Sequence, residues 1–342
     1  MLTAHQISEI RTFLESSQNP IFFFDNDADG LCSFLLLRRW LLRGVGIPAK
    51  SFPGLNKSYA KKVAEHNGDM AIILDKPTAE PEFFQELNEK GTPVIWLDHH
   101  NMPNQKFENL SYYNSFDNVK KFGEPITYIC SKIVNNKGED WLALVGCIGD
   151  HFLPDFSAEA CKDFSELWNS VKTPAEAIYK TEMGKLARIF SFALKDKTRN
   201  VIQMLKFLYT AKNPYDILNS SEHMLERYEE INKKYQKLVE KAKSSINGNL
   251  LFFEYSGDLS ISADISNELS YLYPNSLVVV CYIKGEKVNI SVRGKKARDI
   301  TLKAINGIES ATGGGHENAT GAQVPAHSLD IFKKKIEEMV DC

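Results

Sequence analysis

A chain of 342 residues is too long for most single hydrophobic cores, so two domains are expected. Its 43% apolar and 25% charged residues exclude extended disorder, and a net charge of -3 excludes nucleic-acid binding by overall basicity. Any such binding must come from a local basic stripe, or from metal ions in an acidic cleft.

Met1 to Ser17 alternates polar and apolar residues at helical spacing and lacks the apolar core of a signal peptide. No run reaches the length of a membrane span, so a cytoplasmic protein with no membrane partner is expected. The cysteines at 32, 130, 147, 161, 281 and 342 form no CxxC pair and mostly sit in apolar runs, the pattern of buried free thiols in a reducing compartment. Ile21–Phe24 is a short apolar run, and Leu31–Leu42 reads as a helix. Ala49–Phe52, Met70–Leu74 and Val94–Leu97 follow as strands with helical stretches between them. Short apolar strands separated by helices imply an α/β domain, with a parallel sheet covered on both faces. Right-handed crossovers then bring the strand C-terminal ends to one edge, where ligands bind in such folds.

Trp141 to Gly149 is a further helical run, and from Ala158 to Ser245 the strand signal vanishes. That stretch ends in a long charged helix carrying Met224, Tyr228, Ile231, Tyr235, Leu238 and Ala242 in one apolar stripe. The stripe fits a connector helix packed on its neighbours; a coiled coil with a partner is the alternative. Asn213-Pro214 and Asn247-Gly248 are turn signals. A second, smaller α/β unit begins near Asn249, with strands at Leu250–Phe253, Leu277–Ile283 and Lys287–Val292 and helices at Ala263–Leu272 and Arg298–Ile305. The expected division is a first domain over 1–157, a helical connector over 158–245 and a smaller domain over 246–342.

The strongest local signal is Asp25-Asn26-Asp27-Ala28-Asp29-Gly30, directly after a strand. Three carboxylates on alternate residues repel each other and would be costly at a buried strand end without cations. Gly30 allows a sharp turn into the following helix. A calcium loop of the EF-hand type opens with the same pattern, but it needs a preceding helix and a Glu at its twelfth position, where this chain has Leu36. The next strands repeat the theme, ending in Asp75 and in Asp98-His99-His100. Any one terminal Asp is usually a cap or turn residue; three acidic strand ends on one sheet edge point to a site. Carboxylates with imidazole suit Mn²⁺, Mg²⁺ or Zn²⁺, and their number suggests two ions about 3.5–4 Å apart. Asp150 follows a helix C-terminus, where a nearby metal would offset the unfavourable dipole; an exposed turn residue is the equal alternative. Downstream, Gly313-Gly314-Gly315-His316 could turn backbone N–H groups onto an anion, or could be a flexible hairpin turn with an exposed His. Lys284, Lys287, Arg293, Lys295, Lys296, Arg298 and Lys303 form a local basic concentration, for which a solvated face is the bland reading.

Together these motifs resemble the DHH phosphoesterase superfamily: 25–30, Asp75, 98–100 and Gly149-Asp150 in order, then the glycine-rich signature of the DHH-associated domain at 313–316. The resemblance spans most of the chain, with 158–245 its least diagnostic part. It implies that Asp25 and Asp27 hold one metal, that Asp29, His99 and Asp150 hold the other, and that Asp75 bridges them. It places Asp75, Asp98, His99 and His100 in the catalytic set, with His100 behind the ligands or against the scissile phosphate. Arg293, His316 and the three glycines would contact substrate, as would Asn267 on a helix bordering the cleft. The opening Asp25 is similar to RecJ-type exonucleases. Thr320 stands where that signature usually has Ala, which resembles the shorter archaeal RecJ-like proteins. The implied function is single-strand-specific hydrolysis of DNA or RNA, or of short oligonucleotides, by a water activated by two divalent ions, Mn²⁺ foremost and Mg²⁺ next. A repair helicase, a replication complex or an RNA-decay nuclease are the partners that resemblance implies. The rivals are a small-molecule phosphoesterase acting on cyclic dinucleotides, nucleotide phosphates or pyrophosphate, and a non-catalytic scaffold of the same fold.

Overall fold

The computed structural model describes residues 1–50, 54–220 and 222–340. The chain divides into two compact units, Met1–Glu229 and Glu230–Cys342, with the boundary inside the helix His223–Lys243.

The first unit is built on a parallel sheet of β1 (Pro20–Asp25), β2 (Val45–Ala49), β3 (Met70–Leu74), β4 (Val94–Asp98) and β5 (Leu110–Asn114), in the order β2-β1-β3-β4-β5. The second strand therefore ends at Ala49 rather than running over Ala49–Phe52, and 51–53 lie outside the described residues. β1 shows why both faces need cover. Phe22 and Phe24 point to one side, against Phe34 of the helix Ala28–Leu41, with ring centroids 5.4 and 4.9 Å away. Ile21 and Phe23 point to the other, into a cluster with Ala71, Ile73, Val94, Trp96 and Phe83. Helix Ala28–Leu41 is buried nearly throughout and packs on Ile126–Val134 and Asp140–Gly149. An all-buried helix beside an all-buried strand explains the near-continuous apolar run from 31 to 37.

The rest of this unit is helical, as the missing strand signal over 158–229 requires. On the helix His223–Lys243 the buried residues are Met224, Tyr228, Ile231, Tyr235, Val239 and Ala242; Leu238 is only partly buried. A straight helix repeats at 3.6 residues, so a strict four-three alternation drifts off the buried face, and Val239 takes the place expected of Leu238.

The second unit carries a mixed sheet of β6 (Ile246–Asn247), β7 (Leu250–Ser256), β8 (Leu277–Lys284), β9 (Lys287–Arg293), β10 (Thr312–His316) and β11 (Ala319–Pro325), in the order β10-β11-β9-β8-β7-β6. Only β7 and β8 pair in parallel. Helices Ala297–Ile305 and Leu329–Val340 bury Ala304, Phe332 and Ile336 against Val279, Ile290 and Val324. The glycine run is thus an edge strand rather than an anion loop or a turn: Gly313, Gly314 and Gly315 pair with Ala322, Gly321 and Thr320. Its N–H groups alternate across the strand instead of converging. Among the described residues, no helix is long and apolar enough to cross a membrane. Cys32, Cys130, Cys147, Cys161 and Cys281 are buried free thiols; Cys342 lies outside the described residues.

Candidate metal centre

The C-terminal ends of β1, β3 and β4 deliver Asp25, Asp75 and Asp98-His99-His100 to one edge of the first sheet. A strand precedes the acidic hexapeptide, which removes the calcium-loop reading. The hexapeptide passes from β1 into the helix Ala28–Leu41, with Asp27 as its N-cap accepting from Gly30 N at 2.9 Å. Gly30 sits inside the first helical turn, so it is not there to permit the turn itself. A Cβ at Gly30 would lie 2.4 Å from Asp25 O and 2.6 Å from Asp25 N, so the close packing of helix on strand end is what demands glycine. Asp75, just past β3, has φ +60°, a left-handed conformation that is costly for a residue with a Cβ, and its N–H is held by Leu97 O at 3.0 Å.

Three groups of side chains each offer ligand atoms within 4.8 Å of one another: Asp25, Asp27 and Asp75; Asp29, His99 and Asp150; and Asp75, His99 and His100. Asp29 is 1% exposed and accepts from Ile126 N and Thr127 N, both at 2.8 Å, at the start of helix Ile126–Val134. His99 Nε2 lies 3.0 Å from Asp75 Oδ1, and its Nδ1 lies 3.6 Å from Asp150 Oδ2. Asp150 caps the C-terminus of helix Asp140–Gly149.

Asp98 falls outside these groups. Its Oδ1 is 2.8 Å from His100 Nδ1, while its Oδ2 accepts from Tyr112 Oη at 3.2 Å and Asn114 Nδ2 at 3.3 Å. Asn114 Nδ2 also donates to His100 O at 2.9 Å. Asp98 therefore orients His100 from behind, fixed by two side chains of β5.

Sequence reasoning passed over Lys76. Its ammonium is 4% exposed and donates to Asp25 Oδ1 at 2.8 Å. Its backbone oxygen accepts from Trp96 Nε1 at 2.9 Å. The signal was its position, directly after Asp75 and two residues past the end of an apolar strand; a lysine there must be paired to be buried.

The electrostatics are those of crowded acids. Burial, then the charges of Asp25 and Asp29, push the Asp27 carboxyl up to about 8. Burial, then Asp29 and Asp27, hold Asp75 well above the carboxylate range. Burial lowers the affinity of His99 for a proton, but Asp150, Asp75 and Asp29 outweigh it and hold the imidazole well above its ordinary value. Asp150 is pushed up to about 6 by desolvation, with His99 opposing; its side chain is 37% exposed, so solvent screens it more than Asp75. The residues fit divalent cations. Asp75 Oδ1 is buried without a hydrogen bond of adequate geometry, and hard carboxylate oxygens with one or two imidazoles are the donor set of Mn²⁺ or Mg²⁺.

In the second unit, Arg293 Nε donates to Asn267 Oδ1 at 2.6 Å, and its Nη1 reaches Val292 O and Thr320 O at 2.9 and 3.1 Å. Both expected contact residues thus meet each other. Gly313, Gly314, Gly315 and His316 are exposed on β10, and Gly315 has φ +140°, open only to glycine. Thr320 is buried, with its hydroxyl 2.7 Å from Thr301 Oγ1, which accounts for a Thr where Ala is usual. The basic concentration is divided. Lys284 and Lys287 face each other at one end of β9, and Arg293, Lys295, Lys296 and Arg298 lie at or beyond the other, about 20 Å away at ~3.3 Å per residue.

Residues 21–135 match the family model described as DHH family, N-terminal domain, and residues 232–341 match that of the DHHA1 domain. No curated protein matches the chain. Among solved structures, RecJ in complex with Mn²⁺ from Thermus thermophilus is similar with a TM-score of 0.67 at 17% identity, over 99% of this chain and 55% of that one. This chain therefore spans about half the length of that relative. An exonuclease RecJ bound to manganese gives 0.66 at 16% identity, over 99% and 95%. A pGpG-specific phosphodiesterase, PggH, from Vibrio cholrae gives 0.51 at 13% identity, over 95% and 99%. At these identities the likeness is one of fold.

Proposed function

Starting from a chain with the DHH–DHHA1 domain architecture, we propose that this protein is a metal-dependent phosphodiesterase. Its substrate is single-stranded DNA or RNA, or a short oligonucleotide, cut in the manner of a RecJ-like exonuclease and of the short archaeal type. The observation that carries the reading is the convergence of Asp25, Asp27, Asp29, Asp75, His99 and Asp150 in groups linked through Asp75 and His99. When bound there, divalent cations would supply Lewis acidity toward a phosphoryl oxygen and make a water more acidic.

The chain's own residues divide the remaining work. Asp75 is the carboxylate common to two groups. His100 donates through Nδ1 to Asp98, so its other ring nitrogen accepts a proton in the neutral ring and donates to a phosphate oxygen or the leaving group once the ring is protonated. In the second unit His316, the glycines of β10, Arg293 and Asn267 hold the substrate's phosphates and bases. The exposed Lys295, Lys296 and Arg298 beyond β9 supply local positive charge on a chain of net charge -3, which favours a polyanionic strand.

The test is digestion of end-labelled DNA and RNA strands of increasing length, beside linear and cyclic dinucleotides and pyrophosphate, with Mn²⁺, with Mg²⁺ and with excess EDTA. Strand cleavage that needs the metal is expected. Robust hydrolysis in EDTA overturns metal dependence. Turnover confined to dinucleotides, nucleotide phosphates or pyrophosphate replaces the nuclease reading with that of a small-molecule phosphoesterase.

A further inference from the structure

The two ends of the acidic cluster differ in one respect. At Asp25 a lysine is already in place. Lys76 Nζ is 2.8 Å from Asp25 Oδ1, with Lys50 O at 3.4 Å as its second acceptor. The lysine side chain is 4% exposed and that of Asp25 is 19% exposed. The same carboxylate oxygen also accepts from Asn26 N at 2.9 Å. At the other end, Asp29 is held by two backbone N–H groups and Asp150 faces His99; among the described residues no Lys or Arg pairs with either.

We propose that Lys76 makes the two halves of the cluster unequal. A divalent cation loads first among Asp29, His99 and Asp150, and only weakly among Asp25, Asp27 and Asp75, where the buried ammonium already compensates Asp25. The inference rests on the metal-dependent reading above. Its physical basis is short-range charge. An ion bound through Asp25 and Asp75 must either share Asp25 with the ammonium, at a few ångströms from a like charge, or displace it. Displacement leaves a lysine buried without its acid, which costs far more than the loss of an exposed pair. The tie from Trp96 Nε1 to Lys76 O fixes the backbone from which the lysine reaches, so the side chain has little freedom to withdraw. Among the described residues no Lys or Arg pairs with Asp29 or Asp150, and the His99 imidazole between Asp75 and Asp150 is itself a ligand, which gives up a proton to an incoming ion without having to move away. The pinned carboxylate and the imidazole are held in place for an incoming ion. In this arrangement the second ion is recruited under working conditions, for example together with a substrate phosphate that adds negative charge.

Mn²⁺ titrated into the full chain by calorimetry, with Mn²⁺ electron paramagnetic resonance at each loading, tests this directly. The wild type should bind one ion tightly and a second at least about tenfold more weakly, with no spin-coupled pair at low loading. Lys76→Met should tighten the second step toward the first and leave the first unchanged. Lys76→Gln, which keeps a donor to Asp25 without the charge, should behave alike and serves if the methionine variant loses native tryptophan fluorescence. Equal affinity for two ions in the wild type overturns the proposal, as does a folded Lys76→Met or Lys76→Gln whose second step stays as weak as before. A wild-type chain that binds no Mn²⁺ refutes the metal-dependent reading instead.

Discussion

Replacing Asp29 by Asn separates two jobs that one carboxylate performs. Both oxygens accept backbone N–H bonds at 2.8 Å at the start of helix Ile126–Val134, in a position 1% exposed. An amide has one oxygen, so its NH₂ must face the second N–H. A buried N–H left unmet costs about 1–3 kcal/mol, and the surviving bond loses its charge assistance, about 1 kcal/mol more. Against this stands relief of repulsion in the cluster. Asp27, pushed up to about 8, is largely uncharged at pH 7 without metal, and Asp75 has the His99 imidazole at 3.0 Å to offset its charge, so little repulsion is there to relieve. Asp150, partly exposed and screened, contributes less than about 1 kcal/mol. The capping loss wins, and Asp29→Asn should destabilise the metal-free first unit by about 2–4 kcal/mol, a large part of a typical total of about 5–15. Trp40, Trp96, Trp141 and Trp168 all lie within Met1–Glu229, so tryptophan fluorescence during urea unfolding in EDTA reads this unit alone. Asp150→Asn, which keeps the backbone cap and, among the described residues, takes no side-chain acceptor from a backbone N–H, should stay within about 1 kcal/mol of wild type in EDTA. Added Mn²⁺ should stabilise wild type and help both variants much less. An Asp29→Asn protein as stable as wild type in EDTA would refute the account of Asp29 as a cap.

Three further outcomes follow from the same geometry. In EDTA, stability of the first unit should fall as pH rises from about 4 to about 8: Asp27 keeps its proton in the folded state up to about 8 but loses it near 3.8 when unfolded, so the folded state binds more protons across that window. The raised His99 acts in the same direction above its ordinary value of 6.5, and a flat or rising profile from pH 5 to 8 would contradict both. With Mn²⁺ the slope should reverse, because ligands must be deprotonated. Gly30→Ala places a methyl 2.4 Å from Asp25 O, which is backbone and cannot swing aside, so it should cost about 1–3 kcal/mol or more and weaken Mn²⁺ binding in calorimetry. His316→Ala should lower kcat/KM on oligonucleotides by about 100-fold or more, as for a lost transition-state donor, with Mn²⁺ stoichiometry unchanged, whereas His99→Ala should lose bound metal; loss of metal from the His316 variant would reverse that division.

Legibility of the fold followed the strength of the local pattern. β1, β3 and β4 are buried on both faces, and their unbroken apolar runs marked them. β5, Leu-Ser-Tyr-Tyr-Asn, is an edge strand with only Tyr113 buried, so no run announced it, and Tyr112 and Asn114, which hold Asp98, went unseen with it. β2 is also an edge strand, half-buried and containing Pro48, which placed its start four residues too late in the sequence reading. The glycine run misled for a different reason. Glycine lowers strand propensity, so Gly313–Gly315 read as loop, yet pairing with β11 supplies from outside the order that the residues lack.

The acids themselves were legible because their type and spacing carry the chemistry, but the means by which they coexist was not. Most are fixed by a hydrogen bond or an ion pair that their own motif does not announce. Lys76 compensates Asp25, the Gly30 N–H holds Asp27, and two amides nearly a hundred residues away hold Asp29. Asp98 is committed to His100, Tyr112 and Asn114. Asp75 Oδ1 is buried with the His99 imidazole as its near partner, Nε2 at 3.0 Å but poorly aligned for a hydrogen bond, on a residue already held at φ +60°. A fold that gives Asp25, Asp27 and Asp29 well-directed donors, and the carboxylate at the junction of two ligand groups only a poorly directed imidazole, leaves electrostatic demand at that point. That demand, rather than the count of acids, is the strongest physical reason to place cations at this edge of the sheet.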